Sequence, residues 1–105
     1  MDNIFERDNI FETLEQQCKY HAISCHKMIL HKYDDIYDYE YHLKMVRDIG
    51  DFFIEYIPDK YRDVVFAAIW EHDTLEDCGM ICSFMDLRRI NYHVSLIVEA
   101  VSTGK

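Results

Sequence analysis

Two histidines and an aspartate have the residue types and positions expected of a metal site. His42 falls within an apolar helical pattern, and His72 ends a second apolar run and directly precedes Asp73. Imidazole and carboxylate ligands together suit Mn, Fe or Zn better than Ca or Mg. Because packed helices bring distant ligands together, we predict a metal site formed by His42, His72 and Asp73. Taken singly, each histidine is better interpreted as an ordinary core histidine with satisfied nitrogens.

The segment around His72 is unusually rich in ionisable groups for the end of a buried run. Glu71, His72, Asp73, Glu76 and Asp77 occupy five of seven consecutive positions. If the helix continues through them, His72 and Glu76 share one face, as do Asp73 and Asp77. Repulsion and desolvation of these carboxylates would be unfavourable, and a bound cation would remove that cost. A solvated helix end is the alternative interpretation.

The elements that must position these residues are predicted to be helices. The chain has only three Gly and one Pro, and half of its residues are hydrophobic. This composition favours an all-α, compact bundle of four to five helices in a single domain spanning residues 1–105. Apolar residues three and four apart predict helices over 11–29, 42–56, 64–72, 85–87 and 90–101.

The helix boundaries follow from local signals. Asp2 or Asp8 could cap the first helix, and Pro58 should end the second, with Asp59 capping the third. The Asp- and Tyr-rich stretch 33–38 is predicted to be a loop. Trp70 is predicted to lie in the core.

The remaining histidines and the four cysteines carry weaker signals. His21, His26 and His31 lie five apart, a spacing that drifts around a helix and makes a poor metal site, and His93 is predicted to lie on the surface. The cysteine spacings do not match a zinc knuckle, and Cys18 and Cys25 are interpreted as small buried hydrophobes.

Charge and apolar patterning restrict the partners and the compartment. The net charge of −9 argues against a nucleic acid or an anionic membrane as partner. A phosphorylated small molecule stays compatible, because bound metal can reverse the local sign. The N-terminus has no secretory signal, and no apolar stretch has the length of a membrane span. We therefore expect a cytoplasmic protein with reduced thiols.

Three segments resemble one family in the same order along the chain. "HDTLEDC" (72–78) resembles the HD motif of the RelA/SpoT-type hydrolases, which belong to the HD superfamily of metal-dependent phosphohydrolases. "YEYHLKMV" (39–46) is similar to their first-histidine helix, and "MDLRRINYHVSLIVEAVS" (85–102) to the helix after the HD motif. The resemblance covers roughly residues 18–105.

The resemblance implies a fold, a cofactor and an activity. Members are all-α, and their metal, usually manganese, would be held here by His42, His72 and Asp73. The family's Glu-Asp pair, which positions or activates the attacking water, falls on Glu76 and Asp77. Glu76 is the first choice for the base because a continuous helix would place it on the His72 face. The implied reaction is hydrolysis of a phosphate or pyrophosphate ester of a nucleotide, typically guanosine 3′,5′-bispyrophosphate.

Two departures from the family pattern modify this expectation. The family's basic, glycine-containing loop is replaced by the acidic, glycine-free stretch 32–38, which disfavours guanosine bispyrophosphate and leaves the substrate-binding residues unknown. The family's fourth ligand, an Asp on a later helix, would fall beyond Lys105. We therefore expect a C-terminally shortened chain or fragment, a homodimer, or substitution by Asp34, Asp35 or Asp38. Apolar surface on the second and third helices should then be exposed.

Two other functional hypotheses remain. The first is a catalytically inactive HD-like module with a binding or regulatory role, and the second is a helical bundle with a coincidental motif. Intact His42, His72, Asp73, Glu76 and Asp77 favour the enzyme over both.

Overall fold

A computed structural model of the protein describes residues 11–33 and 36–102. Its helices are α1 (Leu14–Met28), α2 (Tyr39–Asp51), α3 (Asp59–Glu71), the one-turn α4 (Thr74–Asp77), α5 (Phe84–Ile90) and α6 (Tyr92–Ser102). The two-residue strands β1 (Lys32–Tyr33) and β2 (Tyr37–Asp38) pair antiparallel between α1 and α2. The predicted all-α bundle is confirmed, and the short hairpin replaces part of the predicted loop.

The start of α1 is fixed by two side chains that sequence patterning did not single out. The Thr13 hydroxyl accepts a hydrogen bond from the backbone N–H of Gln16 at 3.1 Å. The Asp63 carboxylate, which comes from α3, accepts the first two backbone N–H groups of α1 at 2.9 and 2.8 Å. These bonds satisfy donors that have no partner within the helix. The predicted caps Asp2 and Asp8 lie outside the described residues.

The predicted second helix is too long. Helix α2 ends at Asp51, and a separate 3-10 turn over Ile54–Tyr56 follows. Pro58 immediately precedes α3 in extended conformation, and Asp59 is the first helical residue. The Asp59 side chain pairs with Arg62 at 2.8 Å instead of capping the helix.

The face of α2 that meets the core also differs from the predicted stripe. Met45 and Ile49 are 38% and 52% exposed, whereas Leu43 is fully buried. Gly50 is buried against α3, where a Cβ atom would lie only 3.0 Å from Ile69 Cδ1. The glycine therefore allows α2 and α3 to approach closely. The exposure of Met45 and Ile49 also gives α2 the exposed apolar surface that was predicted for the second helix.

The core is built largely from small side chains, which let the helices pack closely. Its main cluster joins Cys18, Cys25, Ala67, Ala68, Cys78, Cys82, Leu87, Val94 and Val98. A smaller cluster contains Ala22, Leu43 and Trp70, so the predicted core position of Trp70 is confirmed. All four cysteines are buried and free. In the described part of the chain, no helix combines the length and apolar character needed to cross a membrane.

Candidate metal centre

The structure brings together the three predicted metal ligands from distant parts of the chain. His42 extends from α2, and His72 and Asp73 lie in the turn between α3 and α4. Oδ2 of Asp73 lies 2.9 Å from His72 Nε2 and 3.5 Å from His42 Nε2. One ligand atom from each of the three side chains lies within 4.8 Å of the other two. This is a suitable starting geometry for a shared cation.

The tautomer of His72 is set by the backbone. Its Nδ1 lies 2.7 Å from the carbonyl oxygen of Ile69. Because a carbonyl only accepts, Nδ1 must carry the hydrogen, and Nε2 is directed to Asp73. Histidines that bind metals usually donate their second ring N–H to such an acceptor, which orients the ring.

Asp73 is held as a carboxylate by its neighbours. The Tyr39 hydroxyl donates to Asp73 Oδ2 at 2.5 Å. Burial by itself raises the pKa of Asp73, but the hydrogen bonds from His72 and Tyr39 hold it well below its usual range. Burial lowers the pKa of His72, yet its bonds to Asp73 and the Ile69 carbonyl raise it overall. The pair thus favours a negative carboxylate beside a positive charge, the arrangement that a metal cation would also satisfy.

A second group of possible ligands adjoins the first and was not predicted. His26 Nδ1 and His31 Nδ1 lie 2.8 Å apart, and Asp77 Oδ2 lies 3.9 Å from His31 Nδ1. The Tyr39 ring stacks on both imidazoles, with centroid distances of 4.3 and 3.9 Å. The five-residue spacing makes a poor metal site only if His26 and His31 lie on one helix, but α1 ends at Met28, before His31. Leu30 then adopts φ 56°, and the chain turns His31 back onto His26.

The second group contains a neutral imidazole and a carboxyl group with a raised pKa. Burial and the adjacent His31 lower the pKa of His26 to about 4, so its imidazole is neutral. Its Nε2 is buried without a hydrogen-bond partner among the described residues. Burial and the charge of Asp73 raise the pKa of Asp77. Raised carboxyl pKa values in polar clusters are typical of groups that exchange protons.

The helix that was expected to continue through the HD segment is interrupted. Helix α3 ends at Glu71 and α4 begins at Thr74, with Asp73 between them at φ −100° and ψ 0°. The expectation that His72 and Glu76 lie one turn apart on a continuous helix is therefore wrong. The buried Glu71 carboxylate holds the turn through a tertiary contact, because one oxygen lies 2.7 Å from His21 Nδ1 of α1 while the other accepts the Thr74 hydroxyl at 2.8 Å.

The two predicted catalytic carboxylates occupy different environments. Both residues are exposed, but Glu76 belongs to none of the ligand groups found among the described residues. Asp77 is a member of the His26 and His31 group. The geometric reason for choosing Glu76 before Asp77 is thus removed.

Of the three aspartates proposed as a substitute fourth ligand, the structure describes Asp38. Asp34 and Asp35 lie outside the described residues. Asp38 pairs with Lys32 at 2.7 Å, and its side chain is 61% exposed. Within the described ranges it joins no group of possible metal ligands.

Comparison with known proteins does not assign the chain to a family. No family model and no curated protein matches it, and no solved structure matches its fold. A functional proposal therefore depends on the geometry of the two histidine groups, together with the motif resemblance.

Proposed function

We propose that the protein is an HD-type, metal-dependent phosphohydrolase that hydrolyses a phosphate or pyrophosphate ester of a nucleotide-like small molecule. The observation that carries the proposal is the meeting of His42, His72 and Asp73, with His72 oriented by the Ile69 carbonyl. A bound divalent ion, which the family resemblance suggests is manganese, would activate water and neutralise phosphate charge.

The protein's own residues have separable roles in this proposal. Asp73 faces both imidazoles, and the Tyr39 hydroxyl fixes the orientation of its carboxylate. Asp77 takes the proton of the attacking water, because its raised pKa suits proton transfer. Glu76 is the second candidate for that role, since it is exposed but only one residue away.

The cavity beside the second histidine group is the proposed place for the substrate. It has a volume of about 260 Å³ and is lined by His26, His31 and Tyr39, with Lys27 and Lys32 at its edge. The two lysines pair with carboxylates at 4.0 and 2.7 Å. They can exchange those partners for phosphate oxygens, which would offset the acidic surroundings. The four free cysteines fit the reducing cytoplasm that we propose as the compartment.

A phosphate-release screen tests the proposal. Nucleoside polyphosphates and 3′,5′-bisphosphates would be incubated with the protein and Mn²⁺, with His72→Ala as the inactive variant. His93→Ala is the matched control, because His93 is exposed on α6. We expect release by the wild type and the control and its loss in His72→Ala. Metal binding without release from any substrate would instead support the inactive regulatory module.

A further inference from the structure

A third group of possible ligands lies apart from both histidine groups and contains two thiols. His21 and Cys25 come from α1, and Cys82 from the segment before α5. Their ligand atoms lie within 4.8 Å of one another, and Cys25 Sγ is 3.6 Å from His21 Nε2. Cys25 and Cys82 are 6% and 1% exposed, so the thiols meet inside the protein.

The imidazole of this group is oriented by a buried carboxylate. His21 Nδ1 lies 2.7 Å from Oε2 of Glu71, whose side chain is fully buried. The other Glu71 oxygen accepts the Thr74 hydroxyl at 2.8 Å. When Nδ1 donates to this carboxylate, Nε2 is left to face Cys25. Carboxylate–histidine pairs of this kind orient imidazole ligands and increase their basicity in metal sites.

We propose that His21, Cys25 and Cys82 form a second metal site that binds a thiophilic divalent ion, namely zinc. Two thiolates and one imidazole are soft and borderline ligands, which select zinc over manganese. The site is therefore chemically distinct from the oxygen- and nitrogen-only set of His42, His72 and Asp73. It does not depend on the proposed hydrolase function.

An additional ligand could approach an ion at this site from a neighbouring surface pocket. His21 and Cys25 both line a surface pocket of about 450 Å³. Three protein ligands with one open position are typical of zinc sites that exchange a water or a small ligand. A bound ion would also tie α1 to the segment preceding α5 through Cys82.

The proton affinities of the three ligands should make metal binding pH-dependent. The hydrogen bond with Cys82 lowers the pKa of Cys25 to about 5 against the effect of burial, and His21 contributes in the same direction. The same bond and burial raise the pKa of Cys82. Burial lowers the pKa of His21, but its hydrogen bonds to Cys25 and Glu71 raise it to about 10 overall. A metal ion must displace protons from both Cys82 and His21, so its affinity should rise with pH.

The other buried cysteine of α1 provides a contrast. Cys18 is fully buried, but it belongs to no ligand group in the described part of the chain. Burial and the charge of Glu71 raise its pKa, as expected for an inert core thiol. Cys18→Ala is therefore a matched control for Cys25→Ala on the same helix.

Cobalt(II) titration of the reduced protein tests the proposal. Thiolate ligation produces a charge-transfer band in the near ultraviolet, which a site of imidazole and carboxylate ligands lacks. We expect the band to saturate at one equivalent and to disappear when zinc is added. It should persist in Cys18→Ala and in His72→Ala and be absent from Cys25→Ala and Cys82→Ala. Failure of the first metal site would leave this result unchanged.

Glu71→Gln and His21→Gln leave both thiols unchanged. They therefore test the site without the risk that removal of a buried cysteine unfolds the protein. Loss of a residue that orients a metal ligand weakens binding by about 10–100-fold, which is the effect expected for Glu71→Gln. His21→Gln should weaken cobalt binding further while circular dichroism shows an unchanged helix content. Absence of the band from the reduced wild type would overturn the proposal. So would a band that survives in Cys25→Ala, or cobalt affinity unaffected by His21→Gln.

Discussion

Two polar clusters join the same three helices, but they balance their charges in different ways. In the first, Glu15 of α1 accepts from Arg47 of α2 and, at 2.9 Å, from the indole N–H of Trp70 of α3. Arg47 also pairs with Asp51 at 2.8 Å and lies 3.7 Å above the Phe66 ring centroid. The Arg47 cation meets two carboxylates and the Trp70 N–H also has an acceptor, so the cluster is complete without a ligand.

The second cluster is the metal centre together with its neighbouring histidines. Asp73 faces two imidazoles, and among the described residues the two ligand groups combine four histidines with two carboxylates, those of Asp73 and Asp77. Its hydrogen bonds depend on the tautomers of its histidines instead of on permanent cations. The difference indicates that the first cluster is complete by itself, whereas the second has the arrangement expected of the metal site that we propose.

The largest predicted effect concerns the proton-transfer residue of the second cluster. Asp77→Asn should reduce turnover with Mn²⁺ on the order of 10²–10⁴-fold, the range for a lost general base. Glu76→Gln should retain most activity, because that side chain joins no group of possible ligands among the described residues. Steady-state phosphate release would measure both variants. The reverse pattern would assign the base to Glu76.

A substitution in the first cluster should change the stability of the protein and leave its metal affinity unchanged. Glu15→Gln removes a charged acceptor from Arg47 and Trp70, which should lower the free energy of unfolding by about 2 kcal/mol. Urea denaturation would measure the change, with Asp59→Asn as an exposed ion-pair control that should change stability less. Mn²⁺ affinity of folded Glu15→Gln should equal that of the wild type. Lost affinity would show that the two clusters are coupled.

The pH dependence of stability should also reveal the first cluster. Burial opposes ionisation of Glu15, but the hydrogen bonds from Arg47 and Trp70 lower its pKa below 4.5. Its stabilising contribution is therefore present above pH 4.5 and is lost as the pH falls through the lower folded-state pKa. Denaturation midpoints measured across this acid range should fall more steeply for the wild type than for Glu15→Gln. Equal slopes would contradict a lowered pKa.

The smallest predicted effect concerns the turn that brings His31 to His26. Leu30 has φ 56°, a left-handed conformation that is unfavourable for leucine and easy for glycine, and its side chain is 81% exposed. Leu30→Gly should raise stability by roughly 0.5 kcal/mol, since relief of strain exceeds the added unfolded-state entropy. Thermal unfolding against Leu30→Ala, which keeps the strain, would measure it. A destabilised glycine variant would show that the turn is held by contacts of the leucine side chain.

The sequence was sufficient to predict the helical bundle and the meeting of His42, His72 and Asp73. The apolar spacing around His42 and the His72-Asp73 pair carry that information directly. Tyr39 could also have been identified, since it lies three residues before His42 on the same helical face. The family relationship, the metal and the substrate stay predictions.

Other features depend on contacts that periodicity does not encode. The meeting of His26 and His31 requires α1 to end at Met28 and Leu30 to turn left-handed, and no glycine marks that turn. The break at Asp73 depends on hydrogen bonds of the buried Glu71, which looked like a solvated residue in the sequence. Tertiary partners, not local propensity, decide these positions.

Manganese binding by electron paramagnetic resonance tests the central claim most directly, because the signal of free aqueous Mn²⁺ falls as the ion binds. One ion per chain should bind to the wild type and to His93→Ala, and binding should be lost in His72→Ala. Thiolates select softer ions, so the proposed zinc site should not add to this count. Equal Mn²⁺ uptake by the wild type and His72→Ala would contradict a metal centre formed by His42, His72 and Asp73.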